Sequence, residues 1–361
     1  MTAGMRLLPV LAGLALALSA CNDPDASSPS PAGDIITGSP TGLAAAADCG
    51  AGTPSPSTSR PGDGSAALVL ALVPRTEPPS AERQDEIPPG RIAFTTDRDD
   101  NSEIYVMNSD GGGQTNLSRS PAREDEPDWS PDGQRVAFVS DRGETPQVYI
   151  MNADGSDPRQ ITSAPGGGLS PRWSPDGKSI AFTTSGSICV IDVAEGGTRL
   201  VMEAQPEATA EPCRAGAFPG GWSPDSKRIT YYSASVSRSI GQVCTINADG
   251  SGLEVEFADP PTYHVEPSWS PDGRRIVFRS IRDDNSEVWL LDLESGDDRN
   301  LTDDPATDIE PDWSPDGEWL VFASHREGPN FDVYVMKADG SDVRRLTDDL
   351  AKDSEPVWAP R

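Results

Sequence analysis

From Gly90 onward the chain is written in short apolar runs separated by turn-forming residues. RVAFVS (135–140), SIAFTT (179–184), RITYYS (228–233), RIVFRS (275–280) and WLVFAS (319–324) have the length and composition of half-buried β-strands. Just ahead of each run stands Trp-Ser-Pro-Asp-Gly: 129–133, 173–177, 222–226 (with Ser226 in place of Gly), 269–273 and 313–317. A truncated copy, Trp358-Ala359-Pro360, closes the chain. Pro presets φ for the first corner of a tight turn, Asp can accept from its own backbone, and Gly tolerates φ > 0. The motif therefore predicts a tight turn between two antiparallel strands, with Trp packing from the end of the first.

A third strand follows each run: EIYVMN (103–108), QVYIMN (147–152), SICVID (187–192), QVCTIN (242–247), EVWLLD (287–292) and DVYVMK (332–337). Turns such as Asn152-Ala153-Asp154-Gly155 lead to a fourth strand, as in RQITS (159–163). The unit repeats at about 40–50 residues, the mark of a propeller or solenoid. Arg91 to Thr95 matches the second strand of a unit with no first strand before it. Ser354 to Trp358 matches a first strand with nothing after it. The two halves complement each other. The expectation is an all-β, six-bladed β-propeller with four-stranded antiparallel blades, closed by the C-terminal strand pairing with the N-terminal blade. It occupies residues 90–361.

The pattern WSPDG…IAF.S.R…IYVMNADGS…LT resembles the WD-like repeats of TolB-type β-propellers, over roughly residues 90–361. The resemblance implies a propeller fold and a non-enzymatic binding role in the cell envelope. TolB-type proteins carry a folded α/β domain ahead of the propeller; here that place is taken by a Pro-rich stretch.

Residues 1–21 read as a targeting segment. Arg6 precedes an apolar stretch, Leu7 to Ala20, that is short for a membrane span, and Leu18-Ser19-Ala20-Cys21 resembles a lipoprotein signal with Cys21 acylated. Residues 22–89 hold 12 prolines and many small residues, and read as a disordered tether. Only Ala66 to Val73 is apolar enough for a short docking strand. The expected location is extracytoplasmic, lipid-anchored to a bacterial membrane, with disulfides permitted.

Formal net charge is −29. A chain this acidic does not suit nucleic acid, whose binding needs Lys/Arg surfaces. The expected partner is an envelope protein or peptide, met by a monomer.

Topology puts the SPDG and NADG turns on one side and the longer, varied loops on the other, and function favours varied loops on a rigid scaffold. On that side Glu126 and Arg142, Glu266 and Arg282, and Glu310 and Arg326 recur 16 apart; ring closure adds Glu355 and Arg98. Two readings stay open: structural ion pairs between the first and second strands, or a ring of Glu at the channel mouth binding a cation or a basic peptide end. Asp97, Asp99, Asn101 and Glu103 alternate oxygen ligands as a calcium loop does, without the Gly and distant Glu of an EF-hand. That makes a calcium- or carbohydrate-binding propeller the alternative; no other cofactor is expected. A hydrolase or lyase needs more than two separated histidines, His264 and His325, and no GxSxG elbow is present. Cys189 and Cys244 replace the aromatic seen at Tyr105, Tyr149, Trp289 and Tyr334. A disulfide from Cys213 to either would pin the insertion at Glu203 to Gly221; buried thiols are the other reading. Cys49 has no evident partner.

Overall fold

The computed structural model describes residues 86–205, 213–235, 240–256, 263–282 and 285–360. The signal, Cys21, Cys49 and the Ala66 to Val73 run lie outside them. The chain divides into two units, Met1–Ala45 and Ala46–Arg361, and every strand belongs to the second.

All regular structure among the described residues is β. Strands β1 (Arg91–Thr96), β2 (Glu103–Asn108) and β3 (Thr115–Asn116) run antiparallel in sequence. β4 (Glu124–Trp129), β5 (Arg135–Ser140), β6 (Gln147–Asn152) and β7 (Arg159–Gln160) form a four-stranded meander. So do β8 (Leu169–Trp173), β9 (Ser179–Thr184), β10 (Ser187–Asp192) and β11 (Thr198–Met202). β12 (Gly216–Trp222), β13 (Arg228–Ser235), β14 (Ile240–Asn247) and β15 (Glu254–Val255) come next, then β16 (Tyr263–Trp269), β17 (Arg275–Arg282), β18 (Asn285–Asp292) and β19 (Asp298–Asn300). These two groups join into one eight-stranded sheet through a parallel bridge between Gly241 and Tyr263. β20 (Asp308–Trp313), β21 (Trp319–Ser324), β22 (Asp332–Lys337) and β23 (Arg344–Arg345) form the last complete meander. β24 (Asp353–Trp358) pairs antiparallel with β1, Ile92 opposite Trp358.

The SPDG turns form for the expected reasons. Ser130 Oγ accepts from Arg135 N (2.9 Å) and donates to Asp132 Oδ1 (2.6 Å), which also accepts from Gln134 N (3.0 Å). Gly133 sits at φ 63°. Where Ser226 replaces Gly it takes the same left-handed conformation, at φ 60°.

One expectation is corrected by the packing. β1, β5 and β9 are buried on both faces beyond their first residue, and β21 throughout, rather than half-buried. The sheet that holds β1–β3 has a neighbour on either side. Ala93, Ile104, Val106 and Leu117 pack against Trp129, Val136, Phe138 and Tyr149 of the next sheet. Ile92, Phe94, Tyr105 and Met107 pack against Trp319, Val321, Val333 and Val335 of the sheet that holds β20–β23. β12 also begins at Gly216, so the last residues of the sequence insertion, 216–221, are strand rather than loop.

A turn glycine repeats the contact between neighbouring sheets. A Cβ on Gly340 (φ 90°) would stand 2.7 Å from the carbonyl oxygen of Leu301, and one on Gly250 would stand 2.7 Å from that of Val201. Gly155 meets Leu117 in the same way, and Gly111 meets Leu346. Gly340→Ala is expected to destabilise the fold by about 2 kcal/mol, from left-handed strain plus overpacking against backbone. Chemical denaturation measures the effect; an unchanged midpoint contradicts it.

Candidate functional site

The first strand of every meander carries a β-bulge. In β4 Glu124 faces Ser140 and Asp125 faces Val139, but the next pair is Asp128 with Ala137. Glu126 and Pro127 share the space of one partner residue. The same register shift occurs at Val265/Ser268, Ile309/Asp312, Leu169/Arg172 and Pro219/Gly221, and in β1 opposite β24 at Ala93/Thr95. The bulge holds Glu126, Glu266, Glu310 and Glu355 at φ 54–57°, and Ser170 at 50°. Left-handed backbone costs a non-glycine residue on the order of 1 kcal/mol, and the hydrogen bonds it makes possible offset that.

Each of these carboxylates accepts from the backbone of the next sheet. Glu266 Oε2 accepts from Glu310 N (2.9 Å), and Glu310 Oε2 from Glu355 N (2.6 Å). Glu355 Oε2 accepts from Glu126 N (2.7 Å) and from Thr95 Oγ1 (2.7 Å). Glu126 Oε2 accepts from Ser170 N (2.6 Å). The relay runs unbroken from β16 through β20, β24 and β4 to β8. A second layer lies beneath it: Asp128 Oδ2 accepts from Trp173 N (2.6 Å) and Asp312 Oδ2 from Trp358 N (3.0 Å). The relay stops at β8, where Ser170 stands in the glutamate position; in β12 that position is Pro219, and Gly220 lies too close to the Pro267 carbonyl for any side chain.

Enclosure makes this strip electrostatically tense. Burial first, then Glu355, pushes Glu126 up to about 7; burial, Glu355 and Glu266 push Glu310 up to about 8. Burial also raises Asp128 to about 7, opposed by Arg172, and raises Asp312. Loss of hydration disfavours the charged form, and like charges add to it. The residues of β8, β12, β13 and β17 beside the strip are different in kind. Arg172 donates to Gly220 O (3.1 Å) and Pro171 O (2.8 Å), Arg279 pairs with Glu266 (3.1 Å), and Tyr232 stacks on Phe218 at 5.0 Å. One side of the strip is acidic; the other carries arginine and aromatic rings.

The predicted Glu–Arg ion pairs do not form. Arg142 reaches Glu124 (2.7 Å), Arg326 reaches Asp308 (3.0 Å), and Arg98 reaches Asp353 (3.1 Å) and Asp349 (3.0 Å). Arg282 turns to Asp298. The bulge is the reason. It turns Glu126 inward, while Glu124, two residues earlier and opposite Ser140, keeps the face that Arg142 shares. Each arginine is flattened on the aromatic of the third strand: Arg98 over Tyr105 at 4.6 Å, Arg142 over Tyr149 at 5.0 Å, Arg326 over Tyr334 at 5.2 Å and Arg282 over Trp289 at 3.7 Å. The eight residues thus divide into two sets, glutamates on the inner strip and arginines in outer clamps. Sequence reasoning missed Glu124, Asp308 and Asp353; a spacing of 18 from Glu124 to Arg142 and from Asp308 to Arg326 was the available signal.

The calcium-loop residues do not work as one group. Asp97 Oδ1 accepts from Lys352 N (2.8 Å), Asp99 Oδ2 accepts from Tyr105 Oη (2.5 Å), Asn101 Nδ2 donates to Ala122 O (2.8 Å), and Glu103 Oε1 accepts from Ser120 N (3.0 Å). Among the described residues no group of three or more His, Cys, Asp or Glu is placed to hold a metal ion. His264 is buried edge-on to Phe278 at 5.3 Å, and His325 Nε2 accepts from Thr307 N (3.2 Å). The disulfide joins Cys213 to Cys244, with a Cα–Cα distance of 6.0 Å. Cys189 is buried and bonded to neither.

Residues 88–215 and 216–361 each match the TolB beta propeller domain. The chain belongs to that family. Similarity to individual TolB-like relatives is partial. A Tol-Pal system protein TolB of Xanthomonas campestris is 34% identical over 73 residues, 19% of this chain and 16% of that protein. An uncharacterized protein of Agrobacterium fabrum is 29% identical over 82 residues, 23% of this chain and 27% of its own length. The chain therefore spans about a quarter or less of the curated relatives it matches. Among solved structures, TolB from Acinetobacter baumannii superposes with a TM-score of 0.63 at 22% identity, over 75% of this chain and 67% of that one. A putative TolB from Agrobacterium tumefaciens does so at 0.57 and 20% identity, over 76% and 99%. At that identity the likeness speaks for the fold.

Proposed function

We propose that the TolB-like sheets close into one six-bladed ring, and that the ring is a non-enzymatic module recognising an envelope protein or peptide through a cationic group at its acidic inner mouth. The closure reading is supported by contacts across the chain ends that repeat those inside it. β24 pairs with β1 and packs against both β20 and β4; the glutamate relay crosses from Glu355 to Glu126; Gly111 meets Leu346 as Gly340 meets Leu301. The export reading places the ring outside the cytoplasm on an acyl anchor at Cys21, with residues 22–89 as the tether, and rests on the sequence pattern around Cys21.

One observation carries the binding reading. Four carboxylates converge on the strip where the first strands meet, and each spends one oxygen on the next sheet. Among the described residues the second oxygens of Glu310 and Glu355 receive no hydrogen bond. An incoming ammonium or guanidinium would satisfy these oxygens and relieve the repulsion among their carboxylates.

Glu126→Gln with Glu310→Gln tests this. Glutamine keeps an oxygen for the Ser170 and Glu355 amides and removes the charge. In crosslinking pull-downs from the native envelope, the double variant is expected to lose at least about tenfold of the capture seen with the parent, or 1.4 kcal/mol. Its melting temperature at pH 7 is expected to stay level or rise. Undiminished capture by the double variant overturns the acidic mouth as the binding element.

A further inference from the structure

One position in the second layer carries the opposite charge. The pairing of first with second strands makes Asp128, Arg172 and Asp312 equivalent, facing Ala137, Ala181 and Val321 in turn. The other sheets place Gly221, Ser268 and Val357 there, facing Thr230, Val277 and Ala93. Arg172 is half-buried, and two carbonyls hold its guanidinium: Nε donates to Gly220 O (3.1 Å) and Nη1 to Pro171 O (2.8 Å). Its own carbonyl accepts from Trp222 Nε1 (2.9 Å), so the backbone beneath it is fixed as well. Among the described residues Arg172 makes no direct ion pair; its charge acts on carboxylates a little further off.

Three carboxylates feel that charge. Burial raises Glu126, Asp128 and Asp312, and Arg172 opposes the rise in each; Asp312 in turn adds to the rise at Asp128. The side chains of Asp128, Arg172 and Asp312 therefore converge. The donors that the two aspartates receive directly are neutral: Trp173 N for Asp128, Trp358 N and Ser268 Oγ (2.9 Å) for Asp312. Neutral donors satisfy oxygens and leave the charge of the pair uncompensated, which is costly away from bulk water. We propose that Arg172 is the resident cation of the second layer. Its guanidinium supplies the positive charge that Asp128 and Asp312 would otherwise draw from solution, and no free cation enters that layer while Arg172 stands in it. A guanidinium suits the task, being planar, weakly hydrated and always charged. Gly221 puts no side chain at the equivalent point of β12 and Gly220 has room for none, so the backbone there stays open to the arginine.

One consequence rests on the acidic-mouth reading, though the role of Arg172 itself does not. A partner's cationic group is held at the glutamate layer, where Glu310 and Glu355 lie, and is turned back below it by the like charge of Arg172. Arg172 then sets the depth and the valence of the site. A single monovalent group fits, whereas a free divalent ion meets a lower pair of carboxylates that is already neutralised.

Thermal melting of the full-length protein at pH 8 and low ionic strength, where charge is least screened, tests the assignment. Arg172→Lys keeps the charge and gives up the planar fork; Arg172→Gln keeps a donor and gives up the charge. The Lys variant is expected to melt within about 2 °C of the parent and the Gln variant at least about 5 °C lower. Equal losses, or the reverse order, overturn the proposal, since bonds to the Gly220 and Pro171 carbonyls would then be the whole role. Adding Asp312→Asn to Arg172→Gln is expected to recover at least half of the loss, while Asp312→Asn alone raises nothing in the parent. A loss that is the same with and without Asp312→Asn also overturns it. Chemical rescue gives an independent readout. In about 20 mM guanidinium chloride, against the same concentration of sodium chloride, Arg172→Ala is expected to gain at least about 3 °C more than the parent gains. The parent's own gain reports on the mouth, so the two readings fail separately. No excess gain in the variant overturns the resident cation and leaves the mouth untouched. Should Arg172→Ala fold in neither salt, the order of the Lys and Gln variants decides.

Discussion

Deleting Ser354 to Arg361 is expected to abolish the cooperative melting transition. The segment is small, but it belongs to three systems at once. It covers the edge of β1, pairing Ile92 with Trp358 and Ala93 with Val357; bare, that edge would offer its amides and carbonyls to other chains. It supplies Trp358, buried with Ile92, Phe94 and Trp319, and removing a buried Trp alone costs about 3–5 kcal/mol. It carries Glu355, which takes the hydrogen bond of its own amide to Glu310 and accepts from Glu126, so both steps of the relay are lost together. Asp312 loses the Trp358 amide as well, leaving another buried carboxylate unpaired. Against a total stability of about 5–15 kcal/mol, these losses leave no folded reserve. Calorimetry and protease sensitivity read the result; a truncated protein that keeps the parent's transition contradicts the ring. A stricter test moves the strand. Ala359 N donates to Arg91 O at 2.8 Å, the same bond that Ser130 N makes to Arg135 O within an SPDG turn. Placing Asp353–Trp358 followed by Ser-Pro-Asp-Gly ahead of Gly90 in the truncated chain, which keeps the five-residue step from Ser130 to Arg135, is therefore expected to restore a cooperative transition.

The repeat was readable because each unit spends the same residues on the same local tasks. Trp packs, Pro and Asp bend, Gly turns, and the run that follows is apolar. Even the pairing of the two chain ends could be read, from the missing first strand before Arg91 and the spare one at Trp358. The site was harder to read, for a reason visible in one tetrapeptide. Glu126-Pro127-Asp128-Trp129 looks like ordinary alternation, in which Glu126 would share a face with Ser140 and Arg142. The bulge inserts one residue, and a one-residue insertion moves a side chain to the other face. Glutamate at φ near 55° gives no compositional warning of this, as glycine would have done. The cysteines show a different limit. Cys189 and Cys244 occupy equivalent strand positions, so spacing alone could not assign Cys213 to one of them; the path of the chain into β12 does.

Stability is expected to fall as pH rises from about 5.5 to 9, unusual for so acidic a protein only in where the loss begins. The groups responsible are the inner-strip carboxyls. Glu310 is raised to about 8, and Glu126 and Asp128 to about 7, mainly by burial, with Glu355 and Glu266 adding repulsion and Arg172 and Lys352 opposing it. A carboxyl whose folded pKa lies above its unfolded value binds its proton more tightly when folded. Its contribution is fully present below the unfolded pKa, near 4, and is lost as pH climbs through 7 to 8. Each tenfold gain in proton affinity on folding is worth about 1.4 kcal/mol. Partial contact with solvent trims this, and a net loss of a few kcal/mol remains, or roughly 10 °C in melting temperature for a domain of this size. The turn aspartates pull the other way at lower pH. Asp132, Asp176 and Asp225 are held below the usual range, first by the serine hydroxyl of the same turn. Their contribution is present above about 4 and lost below it. The two windows leave a maximum between about pH 4.5 and 6. Glu310→Gln keeps the acceptor for Glu355 N and removes the titration, so its melting temperature at pH 9 is expected to exceed the parent's by several degrees while the two agree near pH 5. A melting temperature that is flat or rising across pH 5.5–9 contradicts the assignment, and a Gln variant that is less stable than the parent at every pH shows that hydrogen bonding, not charge, dominates the strip.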